Sequence, residues 1–347
     1  MPFRWRNSHL FWPLAALGGL LLINLLLKPE FFAIRYQNGH LYGSLIDILN
    51  FGSPLAIVAV GMTLVIATRG IDLSVGSLVA ISGAMACLTI SRGADQQSLH
   101  LVLGAVLLAL AVSVAFGLWN GLLVAGAGIQ PIIATLILMV AGRGIAQLIT
   151  SGQIITVTSK PYHFIGAGWL FTLPFSVYLV ALVFLFAAWM TRRTSLGMFI
   201  EAIGCNPTAS RLAGIRSRSI LLAVYMFCAL CAGIAGLITS SNVSSADGNN
   251  AGLWIELDAI LAVVIGGTSL AGGRFSLAGT LVGALLIQTL TTTIYMLGVP
   301  PEITLVVKAF VVLAVCLIQS PSFRRAIAAR CVPRKPVASR QEVSRHG

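Results

Sequence analysis

Long apolar runs with almost no charged residue inside them dominate this chain. The first extends from Leu10 to Leu27, and more polar stretches separate it and the later runs. Charged residues make up 9% of the chain, whereas a soluble globular protein carries roughly 25%. So few charges cannot cover a water-exposed fold, an extended nucleic-acid surface or a disordered tail. The chain is therefore predicted to be an all-α, polytopic integral membrane protein.

The runs predict about ten transmembrane helices, at about 20 residues per span. They cover residues 10–27, 49–68, 74–90, 99–124, 131–149, 173–190, 220–240, 257–270, 277–297 and 303–318. The eighth run is short, and the pairs Gly266-Gly267 and Gly272-Gly273 indicate a broken or tilted helix there. We expect a single transmembrane domain over residues 10–320, between an N-terminal segment 1–9 and a basic tail 321–347.

The basic residues predict the orientation of these helices. With the N-terminus in the cytoplasm, sixteen Lys and Arg residues fall on the cytoplasmic side and four fall outside. Because Lys and Arg accumulate in cytoplasmic loops, this bias supports the orientation and an even number of spans. Both termini and the polar segment 191–219 are accordingly expected in the cytoplasm. The formal charge of +12 then reflects membrane orientation, and no nucleic-acid partner is expected.

Several kinds of binding and catalytic chemistry have no support in the sequence. The chain has no G-x-x-x-x-G-K-[ST] phosphate-binding loop, nor any Gly-Lys dipeptide. Its five histidines are scattered, and its six cysteines lie mostly in or beside apolar runs, where they favour packing over metal or redox chemistry. The C-x-x-C formed by Cys228 and Cys231 is assigned to packing as well. We expect no cofactor, no metal site and no catalytic residue.

Few ionisable side chains lie deep inside the runs. The carboxylates nearest to them, all close to run ends, are Asp47, Asp72, Glu256, Asp258 and Glu302, whereas Arg143 and Lys308 lie deeper. An ion-coupled secondary transporter usually keeps ionisable groups near the middle of the membrane, so that class is disfavoured but remains the alternative. A membrane-bound acyl or glycosyl transferase is a third candidate, and it lacks paired carboxylates or a His–Ser arrangement.

The polar segment 191–219 contains a short helix signal. Asn206 is a good N-cap, Pro207 suits the first helical position, and Gly214 can close the helix in the left-handed conformation. The pattern predicts a two-turn helix over Pro207–Ala213 at the membrane surface. Two interpretations remain open, an ordinary connecting helix and an element on which a partner protein docks.

Two glycine-containing connections are candidate hinges. In the segment Gly70–Ser77, Asp72 or Ser74 can cap the following helix, and Asp72 can pair with Arg69. Around residues 266–273, glycines permit backbone conformations that other residues resist. The alternatives to a hinge are simple helix capping and close helix packing. Close packing is also indicated by a G-x-x-x-G at Gly279 and Gly283.

Polar side chains inside the runs are candidates for lining a path for a polar solute. They are Asn24, Asn50, Asn120, Gln147, Gln288, Thr289, Thr292 and Thr293. Gln288 and Thr292 share one helix face at a spacing of four residues. Hydrogen bonds between helices are the alternative role for each of these side chains.

Four segments carry a resemblance to a known family. They are the loop containing Asn206 and Pro207, the segment Gly70–Ser77, the segment Gln130–Leu136, and the glycine-rich segment Gly266–Arg274. Together they resemble, in the same order and over about three-quarters of the chain, the ribose/galactose-type permeases, which are membrane subunits of bacterial ABC sugar importers. One departure is Phe275, where relatives commonly have glycine, and it affects the local turn.

The resemblance implies a division of labour among several chains. This chain would be the permease in the bacterial inner membrane, and a separate ATP-binding subunit would hydrolyse ATP. A second permease chain, identical or paralogous, and a periplasmic sugar-binding protein would complete the importer. The substrate would be a monosaccharide of the galactofuranose, ribose or galactose class, and similarity is greatest to the galactofuranose branch.

Roles for individual residues follow from the resemblance as expectations. Coupling to the ATPase would involve Glu201, Gly204, Asn206, Pro207, Arg211, Leu212 and Gly214. A structural or hinge role would fall to Arg69, Asp72, Ser74, Gly266, Gly267, Gly272 and Gly273. The substrate path would include Asn50, Asn120, Gln288 and Thr292.

Overall fold

The computed structural model of the chain describes residues 10–37, 39–298, 300, 303, 305–310, 313 and 317. The N-terminal segment 1–9, much of the tenth apolar run and the tail 321–347 lie outside the described residues.

Helices account for most of the described chain. Their bounds are α1 (Phe11–Leu27), α2 (Ser44–Ala67), α3 (Val75–Ser91), α4 (Leu99–Gly121), α5 (Pro131–Thr150), α6 (Lys160–Ala167), α7 (Phe175–Arg193), α8 (Leu196–Cys205), α9 (Pro207–Leu212), α10 (Ser217–Asn242), α11 (Ile255–Ile265) and α12 (Leu277–Met296). A 3₁₀ turn covers Pro29–Phe32, and a π-helical turn over Leu122–Gly126 extends α4. Ile303, residues 305–310, Leu313 and Leu317 are also helical.

The apolar runs and the helices coincide for the first nine runs. Within the described residues, six helices are long and apolar enough to cross a membrane, namely α2, α4 with its π-helical extension, α5, α7, α10 and α12. Helices α1 and α3 have 17 residues each, and α11 has only 11. The predicted break in the eighth run is confirmed, because α11 ends at Ile265 and a non-helical connection follows up to α12.

Short strands are a departure from the all-α prediction. Strand β1 (Arg35–Gln37) pairs with β2 (His40–Tyr42), β3 (Ile155–Thr156) with β6 (Ser245–Ala246), and β4 (Trp169–Leu170) with β5 (Leu173–Pro174). All three pairs are antiparallel and lie in the connections between helices. They satisfy backbone groups where the chain leaves the helical bundle, which no apolar periodicity could reveal.

The core forms around α10, which packs against α2, α3 and α4. Cys228 and Cys231 on α10 are fully buried and face Gly61 on α2, so their predicted packing role is confirmed. Helix α12 packs against α1, α2 and α11. Here the predicted G-x-x-x-G contact is also confirmed, because methyl groups at Gly279 and Gly283 would lie 2.0 and 2.1 Å from carbonyl oxygens of α11 and its C-terminal turn.

The bundle has two chemically different ends. At one end, called here the basic end, α2, α7 and α11 finish and α3, α5, α10 and α12 start, and α8 and α9 lie across it. Its arginines are Arg69, Arg192, Arg193, Arg211, Arg216, Arg218 and Arg274. The three strand pairs lie at the other end, called the strand end.

Candidate functional site

The segment predicted to dock a partner forms α8 and α9 at the basic end. The Oδ1 atom of Asn206 accepts hydrogen bonds from the N–H groups of Thr208 and Ala209 at 3.1 and 3.0 Å, so the predicted N-cap is confirmed. Gly214 has a φ of +83°, which is the left-handed conformation expected of a residue that follows a helix. The helix itself ends at Leu212, one residue earlier than predicted.

Helix α9 presents an unusual surface. Leu212 is 86% exposed, although it is a large apolar residue at the basic end of the bundle. Beside it, Arg211, Arg216 and Arg218 line a shallow cavity of about 400 Å³. On α8, Glu201 is half-buried, whereas Ile200 and Ile203 are buried and anchor the helix in the core. An exposed leucine among arginines is a surface suited to an amphipathic, acidic protein partner.

A close junction ties α8 to the end of α2. A methyl group at Gly204 would lie 1.9 Å from the carbonyl oxygen of Ala67 and 2.4 Å from the backbone nitrogen of Gly273. The Gly273 N–H donates to that same Ala67 oxygen at 2.9 Å. The Nη2 atom of Arg69 donates to the carbonyl oxygen of Cys205 at 2.6 Å. Motifs far apart in the sequence therefore meet at one point of the basic end.

The glycine-rich connection between α11 and α12 supplies the third side of this junction. Gly267, Gly272 and Gly273 have φ values of +90°, +81° and +91°, which L side chains rarely adopt. Gly266 is buried and packs against Gly279 of α12. The four glycines predicted to form a hinge thus lie in a connection that links α8, α2 and α12 directly.

The turn between α2 and α3 is built around a buried carboxylate. Oδ1 of Asp72 accepts hydrogen bonds from the Ser74 N–H at 3.0 Å and from the Ser74 hydroxyl at 2.6 Å. Neither Asp72 nor Ser74 caps α3 with its side chain, so the capping prediction is wrong. The predicted Arg69–Asp72 ion pair is also absent from the described residues, because the Arg69 guanidinium is exposed and directed to α8 while Asp72 is fully buried. Burial raises the pKa of Asp72 to about 6.

Polar side chains from α4 and α5 complete this turn. Nδ2 of Asn120 donates to the Ser74 hydroxyl at 2.9 Å, and the Leu73 N–H donates to the Thr135 hydroxyl at 3.1 Å. The segment Gln130–Leu136, which contains Thr135, is thereby joined to the Gly70–Ser77 segment. Oδ2 of Asp72, Oδ1 of Asn120 and the hydroxyl of Tyr225 are buried without a hydrogen-bond partner among the described residues.

The predicted path residues lie in several places. Besides Asn120, which belongs to the turn just described, Asn50 accepts a hydrogen bond from Ser176 of α7 at 2.6 Å. Gln288 lines a cavity of about 320 Å³ in the half of the bundle nearer the strand end, and Thr292 lies one turn further along α12, half-buried. The remaining candidates are Asn24, which donates to Thr293 at 2.8 Å, Thr289, which donates to a carbonyl of its own helix, and Gln147, which is exposed on α5.

Several polar residues around that cavity were missed by the motif-based reasoning. They are Asn242, Asn250 and Asp258, which line it, and Arg143 and Lys308, which contact its walls. The shortness of the eighth run was the sequence signal that could have revealed these residues. A helix too short to cross the membrane implies that the connection next to it enters the membrane.

Comparison with known proteins identifies the family of the chain. Residues 44–316 match the family model described as branched-chain amino acid transport system / permease component. The chain is 52% identical to the galactofuranose transporter permease protein of Escherichia coli K12, over 92% of each chain. It is 41% identical to the fructose import permease protein of Bifidobacterium longum, over 91% of this chain and 88% of the relative.

A third relative, the ribose import permease protein of Escherichia coli K12, is 41% identical over 88% of this chain and 92% of its own. No solved structure matches the chain. The match to the family model covers more than half of the residues, and the relatives align over nearly their full length. The chain therefore belongs to the family of branched-chain amino acid transport system permease components, within which its relatives are permeases of sugar importers.

Proposed function

We propose that this chain is the membrane-spanning permease subunit of an ATP-driven importer that carries a monosaccharide across the inner membrane of a bacterium. The observation that carries the proposal is 52% identity to a galactofuranose permease over 92% of both chains. The substrate is then a sugar of the galactofuranose class. The family model alone would equally allow a branched-chain amino acid, so the substrate class needs its own test.

The proposed orientation places the basic end in the cytoplasm, with about ten spans and both termini on that side. It rests on the excess of Lys and Arg in the connections of that end. The exposed face of α9 would then meet the ATP-binding subunit, since the chain has no phosphate-binding loop of its own. The strand end would face the periplasm and receive the sugar-binding protein, and a second permease chain would complete the membrane part.

The junction at Gly204 suggests how movement of the ATPase reaches the helices. Displacement of α9 moves α8, and α8 contacts both the end of α2 and the glycine-rich connection through backbone atoms. Because no flexible side chain separates these backbones, the displacement passes to α2 and α12 without being absorbed. Both helices also wall the cavity that Gln288 lines, so opening of that cavity is linked to the ATPase.

Uptake into proteoliposomes tests the proposal. The chain is reconstituted with its ATP-binding subunit and its binding protein, and uptake of radiolabelled D-galactose, D-ribose, D-fructose and L-leucine is measured in turn. We expect uptake of a sugar, only with ATP and the binding protein present, and no uptake of leucine. Uptake by the chain alone under a proton or sodium gradient would instead make it a secondary transporter, and uptake of leucine alone would refute the sugar assignment.

A further inference from the structure

Part of the connection between α10 and α11 lies at membrane depth. Helix α11 has 11 residues and, at 1.5 Å per residue, rises only about 16 Å from the basic end. The hydrocarbon core of a bilayer is about 30 Å thick, so the part of residues 243–254 that follows β6 enters it from the strand end. Non-helical backbone is tolerated at that depth only where it is covered by protein or lines a water-filled cavity. We call residues 243–254 the re-entrant loop.

Specific contacts fix this loop in place. Nη1 of Arg143 on α5 donates to the carbonyl oxygens of Ala251 at 2.6 Å and Asn249 at 3.4 Å. On its other side, the loop approaches α3 so closely that a methyl group at Gly76 would lie 2.6 Å from the carbonyl oxygen of Gly252. The Arg143 hydrogen bonds satisfy two loop carbonyls that would otherwise be costly in the membrane. The loop is therefore held against α5 and α3 at these points.

The cavity that this loop borders has the side chains of a site for a small polar ligand. It measures about 320 Å³ and is bounded by α2, α10, α11, α12 and the re-entrant loop. Its polar lining consists of Thr239, Asn242, Asn250, Asp258 and Gln288. The side-chain amides of Asn242 and Gln288 are not hydrogen-bonded to any other described residue, so their donors and acceptors are available to a ligand. Nδ2 of Asn250 donates to Asp247 at 2.8 Å, which leaves the amide oxygen of Asn250 as an acceptor. Phe51 supplies an exposed ring at the wall.

The charges around the cavity favour a neutral ligand. Asp258 is the one ionisable residue of the described lining, and its Oδ2 is paired with Nζ of Lys308 at 2.5 Å. An amino acid would need a cation for its carboxylate, but Lys308 is paired and Arg143 is bound to loop carbonyls. Amides that donate and accept, beside an aromatic ring, instead match the hydroxyls and the apolar face of a sugar.

We propose that this cavity is a sugar-binding site inside the permease, at which Asn242, Asn250 and Gln288 hydrogen-bond a neutral monosaccharide during its passage. In the same proposal, Arg143 is a positioning residue that holds the re-entrant loop, and with it Asn250, against the cavity. The inference rests on the proposed function, since it assigns the place where the imported sugar is held.

Uptake by the reconstituted importer tests the site residues. Gln288→Ala and Asn250→Ala are compared with Gln147→Ala, which removes the same kind of amide from an exposed position on α5. We expect each cavity variant to lower ATP-driven uptake of labelled D-galactose, D-ribose or D-fructose by roughly five- to tenfold, as the loss of one hydrogen bond implies. Basal ATP hydrolysis and assembly with the ATPase should remain, and Gln147→Ala should transport like the wild type.

Thiol labelling provides a direct measure of binding and of the role of Arg143. In a chain whose Cys205, Cys316 and Cys331 are replaced by serine, Gln288→Cys should react with a small methanethiosulfonate reagent, and the transported sugar should slow that reaction. Arg143→Ala should abolish this protection, and Arg143→Lys should restore part of it by keeping a donor for the loop carbonyls. A purely structural role of Arg143 would instead lower expression and leave protection per folded molecule unchanged.

The proposed function and the proposed sugar site can be refuted separately. If the wild-type importer takes up no sugar under any condition, the proposed function is wrong. If it takes up sugar while Gln288→Ala and Asn250→Ala match Gln147→Ala, and sugar does not protect Gln288→Cys, the proposed function stands and the sugar site in this cavity is refuted.

Discussion

The close contact at Gly204 predicts how a single methyl group would disturb the coupling between α8 and α2. In Gly204→Ala, the new methyl carbon would lie 1.9 Å from the Ala67 oxygen and 2.4 Å from the Gly273 nitrogen, both backbone atoms. Because carbon and oxygen normally stay more than 3 Å apart, α8 must retreat from α2 by roughly 1 Å. Overpacking of this kind costs about 1–3 kcal/mol, partly offset by the better helix propensity of alanine.

The measurements are the thermal midpoint of the purified chain and the amount of sugar imported per ATP hydrolysed. We expect Gly204→Ala to lower the midpoint by roughly 2–5 °C and to reduce the transport ratio more than the hydrolysis rate. Gly18→Ala is the matched control, because a methyl group at Gly18 on α1 meets no atom within 4 Å. If Gly204→Ala behaves like Gly18→Ala in both measurements, α8 does not contact α2 as closely as described and the coupling scheme loses its basis.

Three further predictions concern the basic end. Leu212→Glu places a charge on the exposed face of α9, so co-purification of the ATPase should fall sharply while membrane insertion stays normal; unchanged co-purification would make α9 a mere connector. Burial holds the pKa of Asp72 at about 6, above its ordinary 3.8, so the folded chain binds more protons between these values and its stability falls as pH rises from about 4 to about 6. Asp72→Asn should flatten that slope in thermal-midpoint measurements and be more stable at pH 7, by as much as about 3 kcal/mol. Burial also raises the pKa of Asp47 and of Glu256, so a smaller slope should remain, and an unchanged slope would assign it to these groups. Single cysteines within residues 191–219 should resist an impermeant thiol reagent in intact cells, and ready labelling would reverse the proposed orientation.

The local structure of this chain was accessible from sequence because it depends on neighbouring residues. Apolar runs located the helices, since a bilayer imposes length and hydrophobicity on each span. Helix α9 could be predicted because its start and end depend on nearby residues. The side-chain oxygen of Asn206 caps the first turn, and the left-handed backbone of Gly214 follows the last turn. The small strand pairs were not predicted, because each strand has only two or three residues and shows no alternating pattern.

The tertiary features of the site were not accessible in the same way. Asp72 and Arg69 are near in sequence, yet the carboxylate is buried and the guanidinium reaches Cys205, which only the packing of α8 explains. The re-entrant loop is rich in Ser, Asn and Gly and therefore resembles an extramembrane connection. Its depth follows from the shortness of α11 and from its contact with Arg143, which lies about a hundred residues away.

In the proposed mechanism, energy enters this permease from a separate ATPase through the exposed face of α9. Photo-crosslinking in membranes containing the whole importer tests it directly, with benzoylphenylalanine at Leu212 and, as a control, at Leu148. These leucines are 86% and 80% exposed, but Leu148 lies near the end of α5 at the strand end. We expect an adduct with the ATPase from position 212 and none from position 148. An adduct from position 148, or none from position 212 while transport persists, would contradict it.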